Sequence, residues 1–278
     1  MIKNIYKHII KHINIFVLFT VILVIFVFII IILFLREKNT YVQQYLGDIQ
    51  NRLNKNNLSS IINKKCQVIY ENNIIIVNDF LNKDYFNHLK HLFDNKNYNS
   101  RNLFIRKGSG IDFQKLHENK EYHDLLEIYY SNKVLDFLSK IVNKPVQRIS
   151  LGDPNATSLL IYSKKGDYIN WHYDYSNYYG DRYVVLLTFV NENQEKNGGL
   201  SNNIFQYSYE GKIYDLKMKE NSLVIFKGSE ILHKSTEIDN NERRILLSMV
   251  YCDICQEKKN VFNIMYEGTK NFVVYGSQ

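Results

Sequence analysis

Hydrophobic positions along this chain fall into three textures. Ile13 to Leu35 is an unbroken apolar run of 23 residues whose polar members are Asn14 and Thr20. Residues 36–66 are polar, with Val42, Leu46, Ile49 and Leu53 at helical spacing. From Val68 onward, short apolar stretches alternate with turn residues. Ile74–Val77 reads as a strand, and Asn78 or Asp79 is placed to cap a helix reaching Asp94, with Phe80, Leu81, Phe86, Leu89 and Phe93 on its apolar side. Glu121–Lys144 reads as a second helix, stopped before Pro145. After Pro145 the pattern is strand after strand: Ser158–Tyr162, Tyr183–Val190, Ile204–Tyr209, Lys212–Leu216, Ser222–Phe226 and Arg244–Tyr251. Glycines such as Gly166, Gly180, Gly211 and Gly228 punctuate them. Regular short strands with turn signals predict a mainly β domain of sandwich, barrel or jelly-roll type.

As a helix, the first run spans about 34 Å, enough to cross a hydrocarbon core of about 30 Å. It lacks the polar stripe of a soluble core helix and exceeds the apolar length of a signal peptide. The chain therefore divides into a short basic tail (1–12), a transmembrane helix (13–35), a polar stalk (36–66) and a catalytic-sized domain (67–278). That domain has helical support over 78–144 and a β core over 145–278. Lys3, Lys7 and Lys11 precede the span, which predicts a cytoplasmic N-terminus and a lumenal or external domain. Asn57-Leu-Ser and Asn155-Ala-Thr are glycosylation triplets compatible with that side.

Charge and cysteine content narrow the function classes. The formal charge is +7, but residues 1–36 hold four basic residues and no acid, leaving 31 basic against 28 acidic residues in the rest. Such a balance predicts no nucleic-acid partner. Three cysteines, Cys66, Cys252 and Cys255, make no disulfide framework, and Cys252-Asp-Ile-Cys255 lacks the second pair of a zinc site.

The candidate chemistry lies in Trp171-His172-Tyr173-Asp174. In a strand, positions i and i+2 share a face, so an imidazole and a carboxylate can reach one cation. His233, after the strand-like Leu223–Phe226 and the turn Lys227-Gly-Ser, is placed to supply the third ligand. Two His and one carboxylate form the facial triad of non-haem iron(II) oxygenases, which leaves positions open for co-substrate and oxygen. The remaining histidines, including His88, His91, His117 and His123, are expected in surface or interfacial roles.

The order of pieces matters more than the triplet. Tyr162, His172-Tyr-Asp174, Arg182-Tyr-Val-Val-Leu-Leu-Thr, Asn197-Gly-Gly, Ser222-Leu-Val-Ile-Phe-Lys-Gly-Ser, His233 and Glu242-Arg-Arg-Ile-Leu-Leu-Ser follow one another. This series resembles the 2-oxoglutarate/Fe(II)-dependent dioxygenase superfamily, particularly its prolyl-hydroxylase-like branch, over Val68–Tyr251. The resemblance implies a double-stranded β-helix (jelly-roll) core, iron(II) and 2-oxoglutarate, ascorbate as an auxiliary reductant, and molecular oxygen. It also implies a basic residue on the last core strand that takes the distal carboxylate of 2-oxoglutarate. Arg243 and Arg244 are the candidates. Strand alternation gives Arg244 the facing of Ser248, whereas Arg243 has the family spacing from His233. The first argument is preferred, which leaves Arg243 in solvent. Tyr162, ten residues before His172, is the expected second contact to that carboxylate. Two departures touch the specificity region: Leu200-Ser-Asn-Asn follows Gly-Gly, and Lys234-Ser-Thr follows the distal His.

The resemblance implies C–H hydroxylation, with a prolyl or lysyl side chain of a protein as first substrate. A dioxygenase acting on a small molecule or lipid, and an inactive jelly roll that only binds, are the rival readings.

Overall fold

The computed structural model describes residues 17–29, 61–103, 105–149, 155–195 and 199–258, with 46, 47, 49, 51 and 153 besides. The chain divides into two compact units, 1–44 and 45–278. In the first, residues 17–29 are helical. Among the described residues no helix is long and apolar enough to cross a membrane. The rest of the expected 13–35 span lies outside the described residues, as does most of the stalk.

In the second unit the described residues form thirteen strands in one curled, antiparallel sheet. The first five are β1 (Gln67–Glu71), β2 (Ile74–Asn78), β3 (Arg101–Asn102), β4 (Arg106–Ile111) and β5 (Gln147–Arg148). Then come β6 (Thr157–Tyr162), β7 (Tyr168–His172), β8 (Arg182–Asn193) and β9 (Phe205–Tyr209). The series ends with β10 (Lys212–Leu216), β11 (Leu223–Lys227), β12 (Leu232–Ser235) and β13 (Glu242–Cys252). The neighbours run β1-β2-β11-β8-β13-β6-β4-β7-β12-β9-β10. This is a mainly β, jelly-roll type of core.

The sheet turns over at β4. Ser109–Ile111 pairs with β6, while Arg106 and Lys107 pair with β7. Gly108 sits at this corner with a positive φ of 157°, and a Cβ there would lie 3.0 Å from the Ile161 carbonyl. A side chain would therefore push the two halves of the sheet apart at the point where they meet.

Alternation decides what each face buries. Ile74, Ile76, Val184, Leu186, Val224, Phe226 and Leu246 point into the curl, where they meet Phe205, Tyr207 and Ile231. The other face packs on helices. Phe189 of β8 lies 6.1 Å and 5.4 Å from the rings of Phe86 and Phe93. Tyr129 packs against Tyr251 and donates to the Val250 carbonyl. With both faces covered, β8 is buried along almost its whole length, which is why it reads as a continuous apolar run.

Three expectations are corrected here. The first helix is Lys83–Lys90, capped by Asn82, because Asp79 adopts φ +53° and cannot start it. The 121–144 segment is two helices, His123–Tyr130 and Asn132–Ile141; Ser131 turns extended between them and its hydroxyl caps the second. Within the expected helical support, residues 106–111 form β4, whose two glycines hide its strand character. Cys252 and Cys255 form a disulfide at the end of β13.

Candidate active site

Antiparallel pairing brings the two candidate histidines together. His172 at the end of β7 and His233 on β12 are directly opposite in the ladder, with ring centres 4.2 Å apart. Asp174 is not in a strand as expected, since β7 stops at His172. It is held instead from the turn after β11: Asp174 N–H donates to the Gly228 carbonyl at 2.9 Å. Its Oδ1 lies 3.8 Å from His172 Nε2 and its Oδ2 lies 3.8 Å from His233 Nε2. One ligand atom from each of the three residues falls within 4.8 Å of the others.

The tautomers are set by the backbone. His172 Nδ1 lies 2.7 Å from the Asn170 carbonyl, and His233 Nδ1 lies 2.9 Å from the Ile231 carbonyl. A carbonyl can only accept, so each Nδ1 carries the proton and each Nε2 presents a lone pair. This is how metal-ligating histidines are oriented. Burial lowers the His233 pKa to about 4, with the Asp174 carboxylate opposing, so the ring is neutral at pH 7. Phe226 and Phe205 pack around that ring at 4.7 Å and 5.5 Å. A carboxylate and two neutral imidazoles converging on one point are a donor set that could hold iron(II).

The sequence reading missed Arg182. It is buried at the first position of β8, with Nη1 3.6 Å from Asp174 Oδ2. Gly228 closes the other side: a Cβ there would lie 2.7 Å from both Cβ and Oδ2 of Asp174. The carboxylate is thus clamped between a guanidinium and a side-chain-free turn.

The two adjacent arginines separate as alternation requires. Arg244 points into the curl, opposite Tyr162 in the β6–β13 ladder, and is only 1% exposed. Its Nη1 donates to Asn203 Oδ1 at 2.6 Å and to Ser235 Oγ, and its Nη2 to Met218 Sδ at 2.8 Å. Its Nε has no hydrogen-bond partner among the described residues. Burial lowers the Arg244 pKa to about 10, which still leaves it charged at pH 7. A buried guanidinium with neutral acceptors and an unused N–H is a site a carboxylate would complete. Arg243 faces the other way but is not in solvent as expected: it donates to the Phe93 carbonyl at 2.7 Å and pairs with Glu192 at 3.5 Å. Its spacing from His233 misleads because facing, not count, decides which arginine enters the barrel.

The remaining candidates are structural. His117 and His123 are in the core rather than at the surface. His117 bonds the Phe113 carbonyl and the Tyr130 hydroxyl, and His123 bonds the His117 carbonyl. His88 and His91 form ion-pair contacts with Asp124 and Asp94. Tyr173 is exposed beside the triad, and Lys234 lies 5.1 Å over the ring of Trp171.

Residues 157–251 match the family model described as the 2OG-Fe(II) oxygenase superfamily. A 2OG-Fe(II) oxygenase family oxidoreductase from Burkholderia pseudomallei has the same fold (TM-score 0.50, 10% identity, 67% of this chain and 87% of that one). A prolyl hydroxylase from Trichoplax adhaerens, solved with a hypoxia-inducible-factor peptide, aligns with TM-score 0.47 at 14% identity over 75% of this chain and 92% of that one. A Pseudomonas putida prolyl-4-hydroxylase aligns with TM-score 0.45 at 12% identity over 68% and 94%. No curated protein sequence matches the chain. The family match spans His172, Asp174, His233 and Arg244, and it places residues 157–251 in the 2OG-Fe(II) oxygenase superfamily of 2-oxoglutarate-dependent dioxygenases that work with iron(II).

Proposed function

We propose that His172, Asp174 and His233 hold the iron, that Arg244 and Tyr162 receive the distal carboxylate of 2-oxoglutarate, and that the enzyme hydroxylates a C–H bond on a protein side chain, prolyl or lysyl. The observation that carries the site assignment is the pair of histidine Nε2 atoms turned onto one carboxylate, together with a buried arginine that no acid neutralises among the described residues. The substrate class rests on the order of the sequence pieces, which resembles the prolyl-hydroxylase-like branch.

When bound, iron(II) and 2-oxoglutarate supply the oxygen activation that ends in succinate, carbon dioxide and a hydroxylated product. The chain's own residues bind and orient. The Asn170 and Ile231 carbonyls keep the Nδ1 protons in place and so keep both Nε2 atoms basic. Arg182 balances the Asp174 carboxylate. The rings of Phe205 and Phe226 exclude water from the His233 side.

The test has two parts. Purified protein should bind one iron(II) per chain, and His172→Ala or His233→Ala should abolish that binding; full occupancy in both variants would sink the triad. Succinate release should then be stimulated by Pro- or Lys-containing peptides over a lipid or small-metabolite pool. The reverse preference would favour the small-molecule reading.

Residues 13–35 are proposed to anchor the chain in a membrane, with a cytoplasmic N-terminus and the dioxygenase domain lumenal or external. The uninterrupted apolar run and the preceding Lys3, Lys7 and Lys11 support this reading.

A further inference from the structure

Arg244 is surrounded by a fully buried polar network that catalysis by the triad does not use. Asn191, Ser201, Asn203 and Ser235 are all 4% exposed or less. Asn203 Oδ1 accepts from Arg244 Nη1 at 2.6 Å and from Ser235 Oγ at 2.9 Å, so both of its lone pairs are engaged. Its Nδ2 donates to the Thr236 carbonyl, which fixes the amide with its oxygen towards the arginine. Behind it, Ser201 Oγ accepts from the Asn203 N–H and donates to Asn191 Oδ1, and Asn191 Nδ2 donates to the Met218 carbonyl. Met218 in turn gives its sulfur to Arg244 Nη2. Every acceptor around the guanidinium is an amide, a hydroxyl or a thioether. Among the described residues none is a carboxylate, although a buried cation is ordinarily matched by one.

These residues occupy the two stretches where the sequence departs from the family pattern. Asn203 lies in Leu200-Ser-Asn-Asn and Ser235 in Lys234-Ser-Thr. The departures therefore have a physical role inside the barrel.

We propose that Asn203 and Ser235 are positioning residues that hold the Arg244 guanidinium in place without neutralising it, so that the counter-charge is supplied only by the incoming carboxylate of 2-oxoglutarate. This rests on the reading of Arg244 as the co-substrate anchor. Neutral acceptors fix the direction of Nη1 and Nη2 while Nε stays unused. An acid in place of Asn203 would accept from the same Arg244 and Ser235 donors, at the loss of the Nδ2 donation to the Thr236 carbonyl, but it would also cancel the charge and compete with the co-substrate.

Asn203→Asp keeps size and shape, and it tests this directly. The variant should raise the KM for 2-oxoglutarate roughly tenfold or more, because an internal carboxylate now competes for the same donors. Iron(II) affinity should stay at the wild-type value. Ser235→Ala should raise the same KM severalfold with kcat less affected, and Ser235→Thr should restore it. A purely structural role would instead leave the KM of the folded enzyme alone. Wild-type KM in either Asn203→Asp or Ser235→Ala overturns the proposal. If Asn203→Asp does not accumulate as folded protein, Ser235→Ala decides alone. Arg244→Ala, run beside them, separates the two levels: unchanged 2-oxoglutarate dependence there means the anchor itself is misassigned.

Discussion

The guanidinium carbon of Arg244 lies 5.8 Å from the ring centre of Tyr162, and the two residues face each other directly across the β6–β13 ladder. The adjacent Arg243 is turned onto the opposite face, against the Phe93 carbonyl. One residue of strand register therefore separates the proposed co-substrate anchor from a structural tie. Arg244→Ala should raise the KM for 2-oxoglutarate roughly 30-fold or more, the usual effect of removing one partner of a charge-assisted pair from a dry pocket. Arg243→Ala should leave that KM alone and lower stability by about 1 kcal/mol, because its hydrogen bond to the backbone is removed. Steady-state kinetics and denaturant titration of both variants check this. Exchanged phenotypes would mean the register is off by one.

Gly228 leaves no room for a side chain beside Asp174. Gly228→Ala should displace that carboxylate and weaken iron(II) binding roughly tenfold, within the usual range for residues that orient a metal ligand. The added Cβ would also lie 2.8 Å from Val184 Cγ2 on β8, so the fold is checked alongside. Iron titration with circular dichroism on the same sample reads both. Unchanged affinity would show that Asp174 can move without cost.

Arg182 is predicted to act on the same carboxylate through charge. Arg182→Gln keeps much of the side chain's length and removes the cation, and should lower iron(II) affinity roughly tenfold. Arg182→Lys should recover part of that loss, because it restores charge but not the planar guanidinium. Equal affinity in all three proteins would leave Arg182 as a packing residue.

Stability should depend on pH through His117. Burial lowers its pKa to about 4, against 6.5 for the unperturbed group. Above pH 6.5 the ring is neutral in both folded and unfolded chains. As pH falls towards 4, only the unfolded chain gains the proton, so folding stability is lost across that window. Between pH 7 and pH 5 the loss is roughly 2 kcal/mol. Urea unfolding at the two pH values should show that difference shrinking by the same amount in His117→Gln. An identical pH slope in the variant would assign the titration elsewhere.

The chain should stay with membranes through an alkaline carbonate wash, and deletion of residues 1–36 should release it. A wild-type chain that washes off would rule out the spanning anchor.

Much of this protein is legible in the order of its residues. The apolar strands after Pro145 follow from period-two and continuous apolar runs, a local property that survives any tertiary arrangement. His172, Asp174 and His233 could be singled out because a metal needs particular donor atoms and those atoms belong to few residue types. What sequence could not carry is everything that depends on pairing between distant strands. The β4 corner is hidden by its glycines, and the break at Ser131 looks like continuous helix. Asp174 is set by the Gly228 turn, 54 residues away in the chain, not by strand alternation. Arg182, Asn203 and Ser235 are ordinary polar residues in the chain. They become partners of Asp174 and Arg244 only where the curled sheet buries them together, away from water.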